Sequence, residues 1–324
     1  MQKPIKLAAM AILSLSVMFV SCKKTDSNPT TDPNTDLAIH ADDQAQVSNE
    51  NDAVLNDVNT ALEANGSSLS SITAPGGAVT SGVLGTDGVN IGNICDASFT
   101  LDTLNGNKRI VITYNGTNCS GTRTRTGVVV VSIPVGQRFK DAGAALTISV
   151  QNLKITRIAD GKSITINGSE VITNVSGGLL KNLASLGTIT HTVESSGITI
   201  TFDNSTQRSW MIAKKRVFTY DNGIVITISG THTDGTITGI SEWGTNRFGN
   251  AFVTSITQPK VIRQDCNFRL VSGQVTHQRL VATIVVTFGL DSTGNPTTCP
   301  AGVFYYKVVW TGANGIVKTF ILPY

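Results

Sequence analysis

The sequence predicts an all-β protein, built as one large antiparallel sheet or a β-sandwich, with one short N-terminal α-helix. Apolar and polar residues alternate through most of the chain after residue 94, as in half-buried strands. Turn dipeptides such as Asp160-Gly161 and Asn314-Gly315 separate these stretches, and such tight turns join antiparallel neighbours. The composition agrees, because Thr, Val, Ile, Gly and Ser abound while only 15% of the 324 residues are charged.

The predicted β domain spans residues 94–324. Ten segments in it have the period of strands: 126–133, 145–155, 163–173, 197–203, 223–229, 236–243, 251–257, 280–288, 303–310 and 316–322. The periodicity does not decide between one curled sheet and two packed sandwich halves.

A helical period is confined to residues 36–66. Apolar residues recur there at positions 47, 54, 55, 58, 61 and 62, which predicts an acidic amphipathic helix. Asp42 and Asp43 lie near its N-terminal end, where negative charge favours the helix dipole, and Asn65-Gly66 predicts its stop. Residues 67–93 are rich in Gly, Ser and Thr and are predicted to be a linker.

The first 22 residues have the layout of an export signal. Lys3 and Lys6 precede an apolar run at 7–20, and small Ser21 comes directly before Cys22. The order Phe-Val-Ser-Cys resembles the lipobox of bacterial lipoproteins, in which the cysteine receives lipid and becomes the first mature residue. The alternative is an ordinary signal peptide with a chance cysteine.

We therefore predict a signal peptide at 1–21, lipidation of Cys22 and a disordered polar tether at 22–35. Acyl chains hold such a protein on a membrane, because each buried methylene contributes about 0.8 kcal/mol. The expected location is the cell envelope, anchored by lipid to the outer membrane. Lys23 and Lys24 do not resemble an inner-membrane retention signal, and they lack the acidic cluster typical of surface export. The choice between the periplasmic and the surface face stays open.

Four cysteines remain for the β domain, and an even count in an exported chain predicts disulfide bonds. Cys95 and Cys119 bracket one predicted hairpin, and Cys266 and Cys299 bracket another that loosely repeats the first. This repeat favours the pairs Cys95–Cys119 and Cys266–Cys299. Zinc is the competing interpretation, but no Cys-x-x-Cys or paired-histidine spacing supports it, so we predict no metal.

The sequence has no catalytic motif of the common hydrolase or nucleotide-binding types. The histidines at 40, 191, 232 and 277 are scattered. Glu170, Glu194 and Glu242 lie in or beside strands, and a fold can bring two carboxylates together for glycoside hydrolysis. Pairing with arginine or exposure to water is the commoner role of such residues. We predict no enzyme activity and no cofactor.

Five residues are candidates for ligand binding: Arg123, Arg125, Arg208, Trp210 and Arg247. Arg123 and Arg125 share one face of a strand, as do Arg208 and Trp210. Cations and aromatic rings on one face bind sugars or anionic polymers. The alternative, which we favour, is an internal ladder that stabilises the sheet.

Charge divides the chain into two blocks. Twelve acidic residues and no Lys or Arg lie at 25–107, whereas 108–324 holds 21 basic and ten acidic residues. Blocks of one sign are usually solvated tails, but the apolar positions of the helix favour its docking on an apolar patch or edge of the basic β domain. An anionic glycan that competed for the basic face would then displace the helix. The small net charge of +3 argues against nucleic acid as a partner.

Four segments resemble a family of Bacteroidota cell-envelope lipoproteins of unknown function: Cys-Ser-Gly-Thr-Arg-Thr-Arg-Thr-Gly (119–127), Gln-Arg-Ser-Trp (207–210), Gly-Thr-Asn-Arg-Phe-Gly (244–249) and Cys-Asn-Phe-Arg-Leu-Val-Ser-Gly (266–273). The resemblance covers most of the chain from Ser48 onward. It implies an all-β envelope protein with a short helical prefix, and it carries no activity. The chain departs from the family at 290–298, where the turn before Cys299 is longer.

We expect an envelope lipoprotein of structural or ligand-binding type, whose partners are the membrane and either an anionic glycan or another envelope protein. The alternatives are a carbohydrate-binding lipoprotein of a glycan-uptake system, a fimbrial or adhesin subunit, and a glycoside hydrolase. Clustered exposed Trp and Tyr would favour glycan binding. A detachable edge strand near a terminus would favour a fimbrial subunit.

Overall fold

The computed structural model describes residues 33–71, 79–80, 94–279, 282–299, 303–312 and 315–324. The predicted signal peptide, Cys22 and nearly all of the predicted tether lie outside this range. The chain divides into the units Met1–Ala38 and Ile39–Tyr324, and every contact considered below is within the second unit. In the described residues strands far outnumber helices, which confirms the predicted all-β class.

Within the described ranges, sixteen strands form one antiparallel sheet. Their bounds are β1 Val79–Thr80, β2 Ala97–Leu104, β3 Asn107–Thr117, β4 Arg123–Pro134, β5 Ala144–Arg157, β6 Ser163–Asn174, β7 Thr188–Phe202, β8 Gln207–Tyr220, β9 Ile224–Gly230, β10 His232–Asp234, β11 Ile237–Thr245, β12 Ala251–Arg263, β13 Arg269–Arg279, β14 Ala282–Leu290, β15 Tyr305–Thr311 and β16 Val317–Pro323. Chain neighbours pair with each other up to β8, which then pairs with both β9 and β11, and each of these also pairs with β12. Hydrogen bonds thus join all the strands in one sheet, the first of the two predicted architectures.

The N-terminal helix, α1, runs from Pro33 to Ser71 and has 39 residues. It begins inside the predicted tether and ends inside the predicted linker, so it is longer than the short helix expected at 36–66. Residues 39–64 are all buried or half-buried, polar and apolar alike. The expectation of one apolar face docked on a sheet is therefore too simple, because the sheet encloses the helix. A second helix, α2, is a single turn at Leu183–Leu186.

The sheet encloses α1 because widely separated strands contact it. Glu50 of the helix pairs with a side chain of β4, Asn51 with one of β6, and Asp52 with side chains of β8 and β12. Glycines allow neighbouring strands to approach each other closely where the pairing in this curved sheet is irregular. Gly127 has φ +130°, and a Cβ there would lie 2.5 Å from a carbonyl oxygen of β5. The register of β4 against β5 shifts at this same point, as expected for a bulge that bends a sheet.

The apolar core lies between α1 and the inner face of the sheet. Val54, Leu55 and Val58 of the helix belong to one buried cluster with alternating residues of β3 to β8, such as Ile112 and Trp210. Full burial of a side chain of this size contributes about 1.5–3 kcal/mol. The helix is therefore part of the core on which the sheet is packed.

Both expected cysteine pairs are present as disulfide bonds. Cys95 is bonded to Cys119, with 5.1 Å between the Cα atoms, and Cys266 to Cys299, with 5.2 Å. These separations are usual for disulfides. The first bond closes the β2–β3 hairpin, and the second links a short 3₁₀ turn, Gln264–Cys266, to the loop after β14.

Candidate functional site: a buried charge network around the helix

Strand β8 shows how basic side chains reach the helix. Its residues alternate between buried and more exposed positions over much of its length, and the period of two places Arg208, Trp210, Lys214 and Arg216 on the inner face. All four are at most 2% exposed. Buried cations need partners, and the polar positions of α1 supply them.

The N-terminal part of the network contains two helix carboxylates. Asp42 accepts hydrogen bonds at 3.0 Å from both terminal nitrogens of Arg157, and one at 2.8 Å from Lys162 Nζ. Asp43 accepts two hydrogen bonds from Arg247, at 2.6 and 2.5 Å. Burial nevertheless raises the pKa of Asp43 to about 6, against the opposing effect of Arg247.

The middle of the network, here called the central cluster, consists of Ser48, Asp52, Lys214, Glu242 and Lys260. Lys260 Nζ lies 2.6 Å from Asp52 Oδ2, and Lys214 Nζ lies 3.4 Å from Asp52 Oδ1 and 2.7 Å from Glu242 Oε1. Ser48 Oγ accepts from Lys260 Nζ at 3.2 Å and donates to Glu242 Oε1 at 2.7 Å. Two cations and two carboxylates thus balance in the interior.

The charges within the central cluster stabilise one another. Burial alone would raise the pKa of Asp52, but Lys214 and Lys260 together lower it well below its usual range. Burial would likewise raise the pKa of Glu242, yet the same two lysines lower it. The effect is mutual, because Asp52 and Glu242 raise the pKa of Lys214 although burial alone would lower it. All three groups are therefore charged at neutral pH.

The C-terminal part of the network is centred on Arg125. Its guanidinium donates to both carboxylate oxygens of Asp96, at 2.7 and 2.6 Å, and to Asp57 Oδ2 of the helix at 2.6 Å. The Tyr114 ring lies 4.4 Å from the Arg125 guanidinium carbon, and its hydroxyl donates to Asp57 at 3.0 Å. Asp96 follows Cys95 directly, so the first disulfide also holds this ion pair in place.

Glu170 of β6 is the most weakly bonded carboxyl group in this network. It is buried, and Asn51 Nδ2 donates to its Oε2 at 3.4 Å. Burial raises the pKa of Glu170 to about 7. Burial also lowers the pKa of Arg208 and of Arg216 to about 10, so their charges persist at neutral pH.

The five candidate ligand-binding residues all lie against the helix or its partners. Arg123 pairs with Glu50, Arg125 with Asp57 and Asp96, and Arg247 with Asp43. Arg208 donates to Gln44 at 2.7 Å, and Trp210 Nε1 donates to Glu242 at 3.2 Å. The contacts of these side chains are thus with groups of the chain itself, on the helix or beside it.

The carboxylates and histidines considered for catalysis are divided between interior and surface. Glu170, Glu242, His191 and His277 are buried, whereas Glu194 is exposed. Burial lowers the pKa of His191 to about 3 and that of His277 to about 4, so both are neutral at pH 7.

A cleft beside the central cluster is lined by Gln44, Ser48, Thr254, His277 and Phe288, among others. Its volume for water-sized molecules is about 10 Å³, close to the minimum for one water. Elsewhere, Asp265, Cys266 and Cys299 come within 4.8 Å of one another. The sulfurs of Cys266 and Cys299 are bonded to each other, so these two cysteines do not offer the thiolates that a zinc site uses.

Of the central cluster, sequence analysis singles out Glu242 and misses the pairing of Asp52 with Lys214 and Lys260. Lys214 lies in β8, which none of the ten predicted strand segments covers, and Lys260 lies beyond the segment predicted at 251–257. Asp52 enters the sequence analysis only as one acidic residue of a block. The available signal was the run Lys214-Lys215-Arg216 inside an apolar strand pattern. A period of two sends the first and third side chains of that run to one face and the second to the other.

Comparisons with protein-family models, curated proteins and solved structures gave no match for this chain. Within the residues that the structure describes, no α-helix combines the length and hydropathy that a membrane span requires.

Proposed function

We propose that this protein is a lipid-anchored structural or ligand-binding component of the bacterial outer membrane, without enzymatic activity of its own. The proposed location rests on the signal-like segment 1–21 and on the lipobox-like order that ends at Cys22. The resemblance of four segments to Bacteroidota envelope lipoproteins supports the same location. The observation that carries the structural role is the enclosure of α1 by the sheet.

The enclosure supports an anchoring role because α1 begins close in the chain to the proposed lipid anchor. Only ten residues separate Cys22 from Pro33, where the helix begins. From residue 39 onward the helix is held by buried ion pairs to β4, β8 and β12. The part of the helix from residue 39 onward is therefore held in the core of the β domain.

The test of this proposal is the fate of the chain in a diderm bacterium that processes lipoproteins. The wild-type chain should enter the outer-membrane fraction and carry diacylglycerol on Cys22 by mass spectrometry, and Cys22→Ala should be released by mild washing. Cys266→Ala serves as a control, because it removes a cysteine without touching the anchor. Membrane association of Cys22→Ala equal to that of the wild type would refute the lipid anchor.

A second candidate function, as an adhesin or fimbrial subunit, has one observation in its favour. In the part of the chain that the structure describes, β16 hydrogen-bonds to β15 alone, and Val317, Phe320 and Leu322 on it are exposed. An apolar edge strand is a template for another strand. We expect a second copy there, because an antiparallel pair of β16 strands centred on Phe320 brings two aromatic rings together and sets Lys318 opposite Leu322.

Sedimentation of the purified full-length chain tests this pairing. The expected result is a dimer that Phe320→Lys converts to monomer, with Thr319→Lys on the other face as the control. A monomeric wild-type chain at high protein concentration would refute it.

A further inference from the structure

The central cluster contains the groups of an amide-forming reaction. Lys260 Nζ is an amine 2.6 Å from Asp52 Oδ2, and both side chains are 3% exposed. Asp52 lies on α1 and Lys260 on β12, and they are 208 residues apart in the chain. An amine held in contact with a carboxyl group, away from water, gains the large advantage of an intramolecular reaction.

We propose that Asp52 and Lys260 join in an intramolecular isopeptide bond, which ties the helix covalently to the sheet. The Nζ–Cγ bond forms and a Cγ–Oδ bond of Asp52 breaks. The departing oxygen leaves as water with two of the three Lys260 ammonium protons, and the third stays on the amide nitrogen. One positive and one negative charge disappear together, so no oxidant, reductant or further reactant is needed.

Ser48 and Glu242 provide the path for the first proton. Lys260 Nζ donates to Ser48 Oγ at 3.2 Å, and Ser48 Oγ donates to Glu242 Oε1 at 2.7 Å. Both hydrogen bonds run in the direction that carries a proton from the amine to the Glu242 carboxylate. Glu242 then returns the proton to the departing oxygen, so it acts as a general base and afterwards as a general acid.

Lys214 has a different role from Lys260. Its Nζ lies 3.4 Å from Asp52 Oδ1, on the other carboxylate oxygen, and 2.7 Å from Glu242. Its positive charge faces the Asp52 oxygen on which negative charge increases when the amine attacks Cγ, which stabilises the tetrahedral intermediate. The Trp210 ring, whose centroid is 5.7 Å from Lys214 Nζ, lies beside this site and is fully buried.

Burial gives the reaction its driving force. Two ions removed from water are each costly to hold in the interior, and the amide replaces both with one neutral group. The cleft beside the central cluster, which Ser48, Glu242 and Lys260 help to line, has room for about one water and can take up the one that is released. The resulting bond would bridge residues 52 and 260, and it does not depend on the lipid anchor.

Mass spectrometry of the reduced full-length chain provides the test. The expected mass is lower than that of the sequence by one water, and proteolysis should yield one branched peptide that joins Asp52 to Lys260. Asp52→Asn should instead lose one ammonia, because the amide nitrogen becomes the leaving group. Asp52→Ala and Lys260→Arg should keep the full mass of their sequences, and Glu242→Gln should form the bond slowly or not at all.

Lys214→Arg is the matched control, because it retains the positive charge and leaves Lys260 as the nucleophile, so the branched peptide should persist. The wild-type mass decides the proposal even where a variant fails to fold. An unmodified wild-type chain would overturn it, as would water loss without a branched peptide or a branch on Lys214.

Discussion

Arg125→Met is the substitution that best measures how much the buried charge network contributes to stability. Arg125 donates three charge-assisted hydrogen bonds, two to Asp96 and one to Asp57. The Asp96 side chain is completely buried, and that of Asp57 is 17% exposed. Methionine has a similar apolar stem but leaves both carboxylates without their cation.

The expected loss follows from these contacts. Removing one partner of a buried ion pair typically costs about 3–5 kcal/mol, because the remaining charge stays desolvated. At about 2–4 °C per kcal/mol for a domain of this size, the melting temperature should fall on the order of 10 °C. The Tyr114 ring also loses the guanidinium above it.

The control for this substitution is Arg138→Met. Arg138 pairs with Asp141 on the surface, and both side chains are more than 40% exposed, so we expect no measurable change in the free energy of unfolding. Chemical denaturation of the three proteins at pH 7 gives the comparison. Equal stabilities for Arg125→Met and Arg138→Met would refute the view that the interior ion pairs matter energetically.

The pH dependence of Arg125→Met provides a second check with a defined sign. Burial already raises the pKa of Asp57 in the wild type, with Arg125 opposing that rise. Without Arg125 the folded-state pKa rises further above the unfolded value, so the native variant holds this proton more tightly. Its stability deficit should therefore be largest above the folded-state pKa and should shrink as the pH falls through it.

Two further predictions concern other parts of the interior. Leu55→Ala should lower the free energy of unfolding by about 2–5 kcal/mol, because it opens a cavity between helix and sheet, whereas Leu186→Ala, at an exposed position, should have little effect in the same denaturation assay. Glu170, with a pKa of about 7, binds its proton more tightly in the native state, so its own contribution to wild-type stability should fall as the pH rises from 5 to 8. Glu170→Gln should lack that fall and should be more stable than the wild type at pH 8 by roughly 1–3 kcal/mol. The control, Glu194→Gln at an exposed position, should have the same pH profile as the wild type. Identical pH profiles for the wild type and Glu170→Gln would contradict the prediction.

The sequence predicts the sheet and the disulfides well because both depend on local signals. Alternation and turn dipeptides are properties of neighbouring residues, and each cysteine pair closes a single hairpin, at separations of 24 and 33 residues. The position of Arg123 and Arg125 on one strand face also follows from local spacing. None of these signals says which face of the sheet lies inside.

The length and environment of α1 could not be predicted in the same way. A hydropathy pattern assigns charged positions to the surface, so it does not predict that Asp43, Asp52 and Asp57 lie inside the contact between helix and sheet. Their burial depends on cations that lie far away in the chain, as with Lys260, which is 208 residues from Asp52. Only the three-dimensional fold brings these groups together.

Hydrogen–deuterium exchange of the native full-length chain tests most directly whether the enclosed helix is part of the core. Backbone amides of α1 between residues 42 and 63 should exchange as slowly as those of β8 and should lose protection in the same global unfolding event, because the two elements share one core and one set of ion pairs. Rapid exchange of the helix, while β8 and β12 stay protected, would show that the helix leaves the sheet on its own and would contradict this account.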